Sequence, residues 1–233
     1  MKLFIKIVCF AVLYLMTHSS SATSINNGYE TVDDWPNFPG LKSTSFLSLT
    51  NQDVFIGVAS AAALSYYLSE YVFEDEQDIT FYNFRSGFSQ GSGKRIYLNN
   101  FGIEKKLSSW FSAGIELNSQ YWKDYQTAAS GNREGIGGGA LAVLRWYPYH
   151  FGKASLYAEY TTGLFYSDKR FPFDGTKFTF NHSSHIGIEY HINAKQKLRF
   201  GYGNFHQSNN NWIDPNPGSN SNGFAISYSW QSE

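Results

Sequence analysis

From Asp78 onward the chain alternates apolar and polar side chains with a period of two. Eight such segments follow one another: Ile79 to Gln90, Gly93 to Lys106, Ser109 to Trp122, Arg133 to Tyr147, Lys153 to Ser167, Lys177 to Ile192, Gln196 to Ser208 and Ser221 to Trp230. That period predicts strands with two unlike faces. Most are long enough to cross a bilayer at a tilt, which takes about 9–11 residues. In the last segment Phe224, Ile226, Tyr228 and Trp230 share one parity while Ala225, Ser227 and Ser229 take the other, predicting an apolar outside over a small, polar inside. In the third, Phe111, Ala113, Ile115 and Leu117 are predicted to face lipid, leaving Glu116 and Asn118 inward. By the same parity Glu104, Glu159, Glu189, Arg145 and Arg199 point inward, as an ionic network filling a narrow eight-stranded lumen would.

The connections sharpen this. After the second, fourth and sixth segments they are short ("LS", "PYHFG", "NAK"); after the third, fifth and seventh they are long and polar, as in "KDYQTAASGN" and "DKRFPFDGT". Short turns on one side and long loops on the other predict an all-β fold, an eight-stranded antiparallel outer-membrane β-barrel with periplasmic termini. Closure also removes the exposed edges that a free sheet would leave.

Ahead of the barrel the pattern differs. Residues 1–22 read as a signal peptide, with Lys2 and Lys6 before the apolar run "IVCFAVLYLM" and small residues Ser20 and Ala22 at a cleavage site. Residues 23–77 form a second region, an extended stretch from Thr23 to Leu49 followed by one N-terminal helix over Val54 to Leu68, with Thr50 and Asn51 as plausible caps. At ~1.5 Å per residue the uncharged run before Glu70 reaches about 24 Å, short of the ~30 Å bilayer core. A packed or membrane-surface helix is expected. Residues 78–233 are then the barrel.

Composition agrees without deciding. The chain has 17 Tyr, 20 Phe and 6 Trp, an aromatic share of 18%, which suits a membrane barrel and also a soluble β-sandwich binding sugars through its aromatics. A net charge of −1 gives no nucleic-acid footprint. The one cysteine, Cys9, lies inside the leader, so the exported chain has no thiol for a disulfide, zinc or nucleophilic attack. No cofactor or metal is expected.

Chemistry concentrates in "YGNFHQSNNNWIDPNPGSNSNGF", Tyr202 to Phe224. The seventh strand runs toward the long-loop side, and His206 and Ser208 share the outward parity of Leu198, Phe200 and Tyr202. Residues two apart on a strand lie ~6.5–7 Å apart along its axis, close enough for an imidazole to reach a serine oxygen. Such a histidine can take the serine proton. His-x-Ser taken alone is a weak signal, more often an ordinary polar loop than a catalytic pair.

The whole constellation is more specific. "HQSNNNWIDPNPG", with Asn209 after the serine and Asn-Pro-Gly eight residues beyond it, just before the final strand, resembles the lipid A 3-O-deacylase family over about Phe178 to Trp230. The resemblance implies an outer-membrane esterase acting on lipid A of lipopolysaccharide in the outer leaflet of a bacterial cell. His206 would be the general base, and Ser208 would attack the ester linking a 3-hydroxyacyl chain to position 3. Asn209, Asn216 and Gly218 would shape the oxyanion site. The family's glutamate two residues after the motif glycine is Asn220 here, a neutral orienter of the histidine, and Asp214 is the alternative acid inside the motif. A non-catalytic barrel with a structural or adhesive role is the competing expectation.

Two further features bear on the site. If the turn after the sixth strand centres on Ala194, His182 of "FNHSSH" falls opposite His206 on the same outward side. Lys169, Arg170, Lys177 and Arg133 fall near long-loop strand ends, where they meet either solvent or the phosphates of lipid A.

Overall fold

A computed structural model describes residues 79–91, 93–125, 133–171, 175–209 and 218–231. The expected leader and the helix at Val54 to Leu68 lie outside the described residues. Eight strands, β1 (Ile79–Gly91), β2 (Lys94–Lys106), β3 (Phe111–Asp124), β4 (Arg133–Phe151), β5 (Ala154–Phe171), β6 (Thr176–Asn193), β7 (Gln196–Ser208) and β8 (Ser219–Trp230), each pair antiparallel with the next. Pairing of β1 with β8, from Tyr82 opposite Trp230 to Gln90 opposite Asn222, closes the barrel.

The alternation read from the sequence is the alternation of burial. Along β2, Lys94, Ile96, Leu98, Asn100, Gly102 and Glu104 are inside while Tyr97, Phe101 and Ile103 are exposed. On the outside, Phe84, Phe101, Ile115, Leu117, Ile188, Phe200 and Ile226 form an exposed apolar band, the surface that lipid covers. Aromatic rings gather at both rims of that band. Tyr82 and Tyr228 stack on Trp230 at the short-turn end, and Phe88, Tyr97 and Tyr121 adjoin at the long-loop end.

Inside, parity places charges that must find partners, because an unpaired buried charge is strongly destabilising. Arg145 Nη1 meets Glu104 at 2.8 Å, Arg199 meets Glu104 and Glu189 at 2.6 Å each, and Arg85 Nη2 meets Glu159 at 2.7 Å. Above this network, toward the long loops, Ile96, Leu98, Trp122, Phe171 and Phe205 pack as an apolar plug. An eight-stranded barrel is just wide enough for such filling. Chemistry on a lipid therefore belongs to the outer wall and the rim.

Several boundaries differ from the sequence expectation. β4 continues through "PYHF" to Phe151, because Pro148 sits where the β4–β5 register shifts between Trp146 and Tyr149 and has no ladder partner to serve. The turn itself is only Gly152 and Lys153, with Gly152 at φ 60. β3 starts at Phe111 because the amides of Leu107 and Ser108 both donate to the Phe111 carbonyl. Phe111 and Ala113 keep the outward parity but are not lipid-exposed, at 4% and 3%. The larger Trp146 and Leu144 stand directly beside them on β4. Ile115 and Leu117, farther along the same strand, are exposed as expected.

Candidate active site

The site follows from register. β7 carries His206 and Ser208 outward at its long-loop end, β8 sets Asn220 opposite His206, and β6 sets His182 opposite it from the other side. β8 begins two residues earlier than the alternation suggested, at Ser219, which makes Asn220 a strand residue with a fixed direction.

His206 Nε2 lies 3.1 Å from Ser208 Oγ, and His206 Nδ1 lies 2.7 Å from Asn220 Oδ1. An amide oxygen can only accept, so Nδ1–H is the donor in that contact. Nε2 is left with its lone pair and accepts the hydroxyl proton of Ser208. This is the arrangement a general base needs: one nitrogen fixed by an acceptor, the other free to take a proton. Ser208 is buried at 4%, while Asn220 is exposed.

Behind the histidine stands a second one. The His182 ring lies 6.2 Å from that of His206 at 28°, and Tyr160 stacks on the far side of His182 at 6.4 Å and 26°. Thr162 Oγ1 at 2.9 Å and Tyr160 OH at 3.1 Å both hydrogen-bond His182 Nδ1. The pairing of His182 with His206 was legible in the turn position; the roles of Tyr160 and Thr162 were not anticipated. Their signal was available, since both have outward parity on β5, where a lipid-facing strand wants apolar side chains.

The remaining residues divide. Asn209 follows Ser208 directly and is buried at 2%. Gly218, at φ 58, adopts the left-handed conformation that favours glycine, and a Cβ there would stand 3.7 Å from His206 Cε1. Asn216 and Asp214 lie outside the described residues. Lys169 and Arg170 are exposed near the end of β5, which runs on to Phe171, and Lys177 is exposed at the start of β6.

A second His–Ser contact shows what is special about the first. His150 Nδ1 lies 2.8 Å from Ser155 Oγ at the opposite end of the barrel. Among the described residues no side chain hydrogen-bonds the other nitrogen of His150, and Ser155 is 2% exposed. That pair lacks the orienting acceptor that gives the rim pair its direction.

A family model described as lipid A 3-O-deacylase (PagL) matches residues 95–229. Among solved structures, the outer membrane enzyme PagL aligns at 12% identity and a TM-score of 0.45, covering 64% of this chain and 98% of that one. Neisserial surface protein A aligns at 8% and 0.46, covering 66% and 96%. Outer membrane protein OprG from Pseudomonas aeruginosa aligns at 8% and 0.39, also covering 66% and 96%. No curated protein matches.

Proposed function

This chain belongs to the lipid A 3-O-deacylase family, and from that premise we propose that it is a serine esterase of the outer membrane that removes the ester-linked 3-hydroxyacyl chain at position 3 of lipid A. The observation that carries the reading is the relay Asn220 Oδ1, His206, Ser208 Oγ, with contacts of 2.7 and 3.1 Å. It stands at the long-loop rim on the outer wall, where a lipid of the outer leaflet would lie against it.

The mechanism runs through named atoms. His206 Nε2 takes the Ser208 proton as Oγ attacks the ester carbonyl. The developing oxyanion is met by donors near Asn209 and Gly218, and the family resemblance assigns Asn216 to the same role; one such donor contributes ~3–4 kcal/mol in other hydrolases. The imidazolium returns its proton to the departing sugar oxygen, and water, activated by the same nitrogen, releases the fatty acid. Asn220 holds the tautomer without adding a charge. Mass spectrometry of lipid A from cells with and without the protein tests the reading: loss of one 3-hydroxyacyl chain supports it, and unchanged lipid A favours a structural or adhesive barrel.

Lys169 and Arg170 supply a test of substrate class. Reversing both charges is expected to slow action on phosphorylated lipid A by roughly three- to tenfold, the scale of exposed charge pairs, and to leave a neutral ester substrate unaffected. Equal losses on both substrates would remove phosphate recognition from these residues.

A further inference from the structure

We infer that His182, held by Thr162 and Tyr160, is a positioning residue for the general base His206; the inference rests on the deacylase reading and extends it. The hydrogen bond from His206 Nδ1 to Asn220 fixes one edge of the imidazole. Once Ser208 Oγ leaves its 3.1 Å contact with Nε2 to attack, that one remaining bond leaves the ring free to swing about its axis, which would carry Nε2 away from the leaving oxygen it must protonate. A flat surface against the face of the ring removes this freedom, and the His182 ring lies against it at 28°.

His182 can serve as that surface because it is itself fixed. It is buried at 6%, its Nδ1 is engaged by Thr162 and Tyr160, and the Tyr160 ring backs it from β5. The three rings Tyr160, His182 and His206 thus make one stack across β5, β6 and β7. Thr162 and His182 are register partners, so the support is built into the ladder. Among the described residues no carboxylate, lysine or arginine contacts either imidazole, so packing and neutral hydrogen bonds do the holding.

A purely structural filler would look different. Lower on the same strands the outward positions are Ile186, Ile188 and Phe200, exposed at 41%, 49% and 55%. Thr162, His182 and Ser184 are instead buried, at 0%, 6% and 6%, and polar side chains buried on an outward face are costly unless they are hydrogen-bonded. The polar positions Thr162, His182 and Ser184 occur where β5 and β6 pass beside His206.

The experiment compares His182→Leu, His182→Phe and Thr162→Val in the full chain, reconstituted in lipid nanodiscs with lipid A as substrate. Leucine keeps an apolar volume suited to a membrane wall, and phenylalanine keeps the ring. Stacked aromatic pairs contribute on a scale that corresponds to roughly two- to tenfold in rate. His182→Leu is expected to lower kcat by that factor with KM unchanged, His182→Phe to recover most of it, and Thr162→Val to lower kcat by less than His182→Leu. In parallel, ring nitrogen resonances of His206, assigned with a His206→Gln variant, should report one tautomer in the unmodified protein and a mixture in His182→Leu. Wild-type kcat and an unchanged His206 spectrum in His182→Leu would overturn the proposal, as would a change confined to KM or an equal loss in the leucine and phenylalanine variants. Should His182→Leu not fold, the phenylalanine and valine variants read the same two quantities. A single ordered His206 tautomer in a protein that leaves lipid A intact would count against the deacylase reading and leave the positioning role standing.

Discussion

Ser208→Ala is expected to abolish release of the acyl chain from lipid A, by a factor on the order of 10³ or more, as loss of a serine nucleophile does in other hydrolases. His206→Asn should do the same, and the double variant should be no worse than either single one, because the two residues act as a unit. Folding should survive both changes. Ser208 is the last residue of β7 on the outward face, and neither residue contributes to the ion pairs of Glu104, Glu159 and Glu189 in the lumen. The check is lipid A mass spectrometry beside heat-modifiable gel migration, which reports the closed barrel. A folded Ser208→Ala protein that still deacylates would eliminate the proposed nucleophile.

The parts of this protein that were legible in the sequence are those governed by the pleat. β7 was bounded at Gln196 and Ser208, and the inward charges from Glu104 to Arg199 were placed by counting residues. The same counting puts His182 and His206 on one wall, because antiparallel register fixes neighbours once a short turn is known, whereas Asn220 joins them only because β8 reaches back to Ser219. Counting failed where the ladder breaks. At Pro148 the strand absorbs an extra residue and continues, so a predicted turn is in fact strand. Arg85 was missed as a lumen charge because the phenylalanines of β1 do not keep one parity: Phe81 is buried while Phe84 is exposed. In the sequence Tyr160 and Thr162 belong to an alternating strand, and nothing there ties them to His206. Their meaning depends on what stands two strands away, which is a property of the closed sheet.

The sharpest remaining question is how a histidine works without the charged orienter. Asn220→Ala is expected to reduce deacylation by on the order of 10²–10⁴, since an imidazole in the wrong tautomer loses about 10⁴ in a serine protease whose orienting aspartate is made an amide. Here the amide is already native and presents its oxygen to Nδ1 at 2.7 Å. What it lacks is charge, so Asn220→Glu should raise the rate: a carboxylate beside the imidazole favours its protonated form, which the serine attack creates. Because Asn220 is exposed, solvent screens the new charge, and a gain nearer tenfold than a thousandfold is expected. Asp214→Asn separates this account from its rival, in which the loop carboxylate folds over the histidine. With Asn220 as orienter, Asp214→Asn should be nearly silent and Asn220→Ala severe. A severe loss in Asp214→Asn with a silent Asn220→Ala would transfer the role to Asp214. If neither variant slowed a protein that still deacylates, the His206–Asn220 contact would be no part of the catalytic relay, and the ring would have to be held by the His182 stack alone.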